Sequence, residues 1–307
     1  MAEPSRCVRL ERSVGEVRYR SGPLGSDELA EALVQVDAVL AGLDRFDESV
    51  FARTPRLRVV ARYGAGVDNI DLVGAARNGI VVTNTPGANA NAVAELTIAL
   101  LLALARPLLR AVESVRLGEW TAPRGFEIAG RTLGLVGLGA VGRLVATKAS
   151  ELGCHVVACD PLVGEAEARA VGAQLVTREH VVAVADVLSL HVPLTAETRD
   201  MVDRRLLQSM KPGAALINTA RGELVVEEDL LRALEEGHLR AAALDTLREE
   251  PPPPQHPLLR REDVIVTPHM GGQTDEAVEE MAREAIDDLL AVLSGEPPRH
   301  PVEVVLG

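Results

Sequence analysis

The segment that most constrains this 307-residue chain is Thr132-Leu-Gly-Leu-Val-Gly-Leu-Gly-Ala-Val-Gly142. A β-type run over Thr132–Gly137 meets a helical stretch over Val141–Leu152 through glycines 137, 139 and 142, spaced G-x-G-x-x-G. In that context the first Gly permits a tight turn, the second lets backbone approach a pyrophosphate, and the third lets helix lie on strand. The helix N-terminus then offers free N–H groups to phosphates. The spacing alone is weak, because a Gly-rich turn is often only a turn. Asp160 strengthens it: it ends the next strand 18 residues beyond Gly142, where a carboxylate accepts from both ribose hydroxyls. The reading is a dinucleotide-binding unit that takes NAD, since an acidic group repels the 2′-phosphate of NADP.

Around this core the chain alternates short β-type runs with helices, the pattern of a parallel sheet with crossover helices. After His155–Asp160 come runs at Asp186–His191, Ala214–Asn218, Ala241–Asp245 and Val264–Thr267. Each ends in a polar residue, and ligands of open α/β sheets bind at the carboxyl ends of strands. The first hundred residues repeat the alternation more weakly, with strands at Val36–Leu40, Arg58–Ala61 and Ile80–Thr83; no earlier strand is legible. The expected fold is α/β: a Rossmann-type doubly wound parallel sheet plus a smaller flavodoxin-like α/β domain, with a cleft between them. Long helices read over Asn89–Arg106 and Asp275–Ser294 make the smaller domain discontinuous, residues 1–98 with 275–307, around a nucleotide domain of residues 99–274. These helices are the expected hinge. The apolar face from Leu96 to Leu104 suggests a homodimer.

Composition narrows the partners. With 32 Lys and Arg against 45 Asp and Glu, the net charge of −13 argues against nucleic acid and anionic membrane. The longest apolar run, Leu96–Ala105, is too short for a membrane span. Cys7, Cys154 and Cys159 form no paired framework, and the polar N-terminus has no leader-like apolar run, so the expected location is cytoplasmic. Aromatics are 2% of residues, so the core must be built from Ala, Val and Leu.

Three residues past strand ends carry possible chemistry. Arg221, in Asn218-Thr-Ala-Arg-Gly222, can fork two hydrogen bonds onto a carboxylate, although taken alone an ion-paired surface Arg explains it better. Glu250 precedes Pro251–Pro254, and His269 lies in Thr267-Pro-His-Met-Gly-Gly272. A His held by a Glu is a general acid/base pair, while a lone loop His is more often just a hydrogen-bonded residue. His191, in His-Val-Pro-Leu-Thr195, shapes backbone near the cofactor. His155, His180, His238, His256 and His300 have no motif around them, and no spacing suggests a metal.

Taken together these segments resemble the D-isomer-specific 2-hydroxyacid dehydrogenases along nearly the whole chain. The matching segments include Arg62-Tyr-Gly-Ala-Gly-Val-Asp-Asn-Ile-Asp71, Asn84-Thr-Pro86, the Gly137 turn, Asp160-Pro161, His191-Val-Pro, Asn218-Thr-Ala-Arg-Gly222, Glu250-Pro251 and Pro268-His-Met-Gly-Gly272. The resemblance implies reversible hydride transfer between NAD and a small 2-hydroxy or 2-oxo acid, with Arg221, Glu250 and His269 catalytic. It implies cofactor contacts at Thr85, Gly137, Gly139, Ala140, Val141, Gly142, Asp160, His191, Val192, Pro193, Thr219, Ala220, Arg221, Asp245, His269, Gly271 and Gly272. Substrate contacts are implied at Arg62, Tyr63, Gly64, Ala65, Gly66, Arg221 and His269, the Gly64 turn presenting N–H groups to the carboxylate. The Gly-x-Gly-Val-Asp-Asn-x-Asp form is similar to phosphoglycerate dehydrogenases and glyoxylate/hydroxypyruvate reductases, without the regulatory C-terminal domain of longer relatives. Ala140 departs from the family, where Arg is common and adds a pyrophosphate partner. The alternative from another class is a non-enzymatic NAD-sensing protein, like the corepressors that share this fold.

Overall fold

The computed structural model describes residues 8–303. Cys7 lies outside that range; Cys154 and Cys159 are free thiols. The chain forms two compact units, residues 1–89 with 272–307 and residues 90–271. The divisions fall earlier than the expected 98/99 and 274/275. Helix Ala90–Ala105 is the reason at the first of them: it packs as a whole on helix Ala140–Glu151 and its Leu100, Leu101 and Leu104 join the core of the second unit. The apolar face from which a dimer was expected is therefore spent largely inside its own unit.

The second unit holds seven parallel strands: β4 (Thr132–Val136), β5 (His155–Cys159), β6 (Ala173–Leu175), β7 (Val187–Leu190), β8 (Ala214–Asn218), β9 (Leu239–Leu244) and β10 (Val264–Val266). Their spatial order is β10-β9-β8-β7-β4-β5-β6, a doubly wound sheet that reverses direction between β4 and β7. The reversal leaves a crevice at the carboxyl ends of those two strands, and ligands of such sheets bind there. β7 and β8 are buried along their whole length, as befits central parallel strands covered by helices on both faces. β6 was not legible in the sequence: it is a three-residue edge strand, Ala-Gln-Leu, whose central Gln174 is exposed.

The first unit carries three parallel strands in sequential order, β1 (Ala38–Ala41), β2 (Val59–Arg62) and β3 (Val81–Thr83). Helix Asp275–Ser294 covers one face of this sheet through Ala285, Ile286, Leu289 and Val292, and a second cluster around Phe46 and Phe51 fills the other. Before β1 the described residues form helices at Val8–Ser13 and Ser26–Leu33, not a strand. Among the described residues no single helix is long and apolar enough to cross a membrane.

His191 sits directly after β7 with Nε2 3.0 Å from Ser189 Oγ, and burial pushes its pKa from 6.5 down to about 4. A base depressed in this way is neutral in the fold, so between about pH 4 and 6.5 the unfolded chain binds more protons. Stability from the neutral ring is complete above pH 6.5 and is lost as pH falls toward 4. We expect the urea midpoint to fall more between pH 7 and pH 5 in the wild type than in His191→Gln; equal falls would refute a buried neutral ring.

Candidate functional site

The crevice begins at Gly137, which follows β4 with φ +99°, a conformation that favours glycine. A Cβ there would lie 2.3 Å from the His191 carbonyl oxygen, and one at Gly142 would lie 2.3 Å from the Gly137 oxygen. Turn, helix and β7 end are thus in backbone contact. Gly139 differs: nothing lies within 4 Å of where its Cβ would stand. The open face falls at the middle glycine, where a pyrophosphate must approach the backbone. Helix Ala140–Glu151 starts there with no side chain capping its first N–H groups, leaving those of Ala140 and Val141 in the positive end of the helix dipole. These residues fit a dinucleotide.

Asp160 closes the other side of the turn. Its Oδ2 accepts the Leu138 N–H at 2.8 Å and its Oδ1 the Leu162 N–H at 2.9 Å. Both oxygens are fixed by backbone and retain lone pairs for ribose hydroxyls. Val192 and Pro193 continue the rim past His191. After β8, buried Asn218 folds the next loop back on itself, accepting from Ala220 N at 3.1 Å and donating to Arg221 O at 2.7 Å. Thr219 Oγ1 is 3.0 Å from Thr97 Oγ1 and buried, so its hydroxyl is committed within the protein.

Asp245, the residue after β9, organises the remaining loop. Its carboxylate is 1% exposed and accepts from Thr267 Oγ1 at 2.6 Å, Met270 N at 2.9 Å and Gly271 N at 2.8 Å. Its carbonyl takes the His269 N–H at 2.9 Å. His269 has φ +50°, a left-handed conformation that costs a non-Gly residue about 1–2 kcal/mol. Hydrogen bonds to an ionised acceptor contribute about 1.5–3 kcal/mol each, so the Asp245 clamp outweighs that cost.

The clamp aims the His269 ring at Glu250. His269 Nδ1 and Glu250 Oε2 are 2.7 Å apart, and Glu250 Oε1 accepts the Leu247 N–H at 2.9 Å. Burial works to raise the Glu250 pKa, but the hydrogen bond and charge of His269, the Leu247 N–H and the Arg221 guanidinium together hold it below the ordinary carboxylate range. Arg221 and His269 therefore both act on Glu250, although 48 residues separate the one from the other. With Nδ1 occupied, Nε2 is the ring nitrogen left to face a substrate.

In the first unit, the expected substrate residues form a braced turn. The Gly64 N–H is already taken by Thr85 Oγ1 at 3.1 Å, and Thr85 N donates back to Gly64 O at 3.1 Å. That corrects the turn to two available N–H groups, those of Ala65 and Gly66. It also gives fully buried Thr85 a scaffolding task in this turn. Arg62 is 7% exposed, with its guanidinium packed beneath Gly64 and bonded to the Tyr63 carbonyl. The Tyr63 hydroxyl donates to Val278 O at 3.0 Å. The Arg62 side chain thus supports the turn, while that of Tyr63 reaches the helix Asp275–Ser294. Gly272 also falls in this unit, its missing Cβ 3.1 Å from Asn89 Nδ2.

Two residues near the pair escaped the sequence reading. Glu227 and His256 bond each other at 3.1 Å, beside the loop that carries Glu250. No local signal marks them, because they lie 29 residues apart and neither has a motif.

Comparison with known proteins places this geometry. Residues 98–271 match the family model of the D-isomer specific 2-hydroxyacid dehydrogenase NAD binding domain. The structure of TT0316 protein from Thermus thermophilus superposes with a TM-score of 0.89 at 39% identity, covering 99% of this chain and 98% of that one. Glyoxylate reductase of Korarchaeum cryptofilum is 38% identical over 91% of this chain and 86% of its own length. D-3-phosphoglycerate dehydrogenase of Mycobacterium leprae is 39% identical over 92% of this chain but only 53% of its own, so the chain spans about half the length of that relative. A matched NAD-binding domain, a full-length structural counterpart and the loops built around Gly139 and Asp245 agree: the chain belongs to the D-isomer-specific 2-hydroxyacid dehydrogenase family.

Proposed function

We propose that the protein is an NAD-dependent oxidoreductase acting on a small 2-hydroxy or 2-oxo acid, with Arg221, Glu250 and His269 as its catalytic residues. The observation that carries this reading is the 2.7 Å His269–Glu250 hydrogen bond within the field of Arg221, on loops at the same strand ends as the dinucleotide turn. Residues 90–271 form the nucleotide unit, and residues 1–89 with 272–307 supply the substrate turn. Glyoxylate, hydroxypyruvate and 3-phosphohydroxypyruvate are the candidate substrates, by likeness to the named relatives. The corepressor-type alternative gains nothing from those comparisons.

NAD, when bound, supplies or accepts the hydride. The chain's own residues do the rest. Arg221 bridges the substrate carboxylate and carbonyl oxygen, orienting the acid and stabilising negative charge as it develops. His269, steadied by Glu250, holds the proton that the oxygen takes during reduction and receives it during oxidation. Asp160 selects NAD, because a 2′-phosphate beside it loses hydrogen bonds and gains repulsion.

The free thiols suit a reducing cytoplasm. A homodimer is proposed through helix Leu108–Arg116 and the turn after it, which leave Leu108, Leu109, Val115, Leu117 and Trp120 exposed, the last at 91%. Large apolar side chains exposed this densely along one short segment support an interface there. Light scattering at micromolar concentration should give twice the 32.7 kDa chain mass, and a monomer would refute the dimer.

The function itself is tested by following NADH oxidation with the three oxo acids. Turnover of at least one is expected, with a much lower kcat/KM when NADPH replaces NADH. His269→Ala should lower kcat by about 10²–10⁴ with NADH binding unchanged, and Arg221→Ala should damage KM and kcat together. No turnover of any 2-oxo acid, or a His269→Ala enzyme with normal kcat, would reject the assignment.

A further inference from the structure

The loop that carries Glu250 is clasped at both ends by a single carboxylate. The Arg248 N–H donates to Glu227 Oε1 at 2.8 Å, and His256 Nε2 lies 3.1 Å from Glu227 Oε2. An ionised carboxylate only accepts, so Nε2 is the donor. The Glu227 and His256 side chains are 13% and 15% exposed, which shields the clasp from water. Nδ1 of His256 is buried without a hydrogen-bond partner, so the Glu227 bond is what holds this ring by polar contact.

Between the clasped ends lie Glu250 and the run Pro251–Pro254. Each proline fixes its φ, and the His256 N–H closes a turn onto the Pro253 carbonyl at 2.9 Å. Holding both ends of such a loop on one carboxylate leaves its middle little freedom. The first end is braced again, since Arg248 Nε donates to Val225 O at 2.7 Å and its guanidinium pairs with Asp200. The second end continues into the turn Pro257–Arg260, anchored in the core by Leu258.

We propose that Glu227 and His256 are positioning residues that set the Glu250 carboxylate against His269. The inference rests on the reading of Glu250 and His269 as the acid/base pair. Neither residue touches a reacting atom; both act through the loop. An acid/base group displaced by about 1 Å can cost about 100-fold in rate.

The test is a mutant cycle on NADH-dependent reduction of the best oxo acid: Glu227→Ala, His256→Ala, His256→Gln, Glu250→Gln and the Glu227→Ala/Glu250→Gln double variant. Glu227→Ala and His256→Ala are expected to lower kcat by about 10- to 100-fold, while the acid KM and NADH Kd stay within about twofold. His256→Gln keeps a donor for Glu227 and should recover most of the loss. Because the clasp acts through Glu250, adding Glu227→Ala to Glu250→Gln should change kcat by less than about twofold. His256→Ala cuts only one end of the clasp, so it decides the matter if Glu227→Ala does not fold. Equal losses from Glu227→Ala in both backgrounds, or normal kcat in both alanine variants, would overturn the inference. A Glu250→Gln enzyme with normal kcat would instead reject the acid/base reading, and this inference with it.

Discussion

The site depends on the buried carboxylate of Asp245. Its two oxygens gather the hydroxyl of Thr267 and the N–H groups of Met270 and Gly271, while its backbone ties β9 to β8 through Asn218 and to His269. A charge at 1% exposure is tolerated only when its hydrogen bonds are satisfied, and here the satisfying groups belong to the turn that presents His269. Removing the charge would leave donors unmet, at about 1–3 kcal/mol each, and would release a left-handed residue from the conformation that aims its ring. Strand order, turn geometry and the His269–Glu250 bond are thus one construction.

The same economy appears at the dinucleotide end. β4 and β7 flank the point where the sheet reverses, and Gly137 and Gly142 let backbone meet backbone there. Gly139 alone keeps an open face. Partial charges are arranged by the backbone: uncapped helix N–H groups at the open turn, and an Asp160 carboxylate held by two N–H groups beside it. A net charge of −13 would repel an anionic acid at long range, but salt screens such a field beyond about 8–10 Å. In the proposed reading, local donors such as Arg221 outweigh that field.

Much of this was legible because it is local. The glycine turn, Asp160 and the strand ends before His191, Arg221 and Asp245 are short-range patterns tied to one fold. The long helix Asp275–Ser294 reads from its apolar period. What was not legible is long-range or short in extent. β6 offers three residues and no alternation. The Gly64 N–H is lost to Thr85, 21 residues away, and no pattern around Gly64 announces it. The packing of Arg62 beneath the Gly64 turn is likewise invisible in the local sequence. His256 looked idle because its partner, Glu227, is remote in sequence and near only after the sheet has formed. The apolar run Leu96–Leu104 reads as a docking face, but Leu100, Leu101 and Leu104 are taken by the core of the unit to which they belong.

In the proposed function a carboxylate, Glu250, steadies the imidazole that handles the proton. The most direct measurement is the pH dependence of kcat/KM for oxo-acid reduction in the wild type and in Glu250→Gln. Glutamine keeps the shape and removes the charge that favours a protonated ring. The alkaline limit of reduction should move to lower pH in the variant. An alkaline limit that stays where it is in the wild type would contradict it.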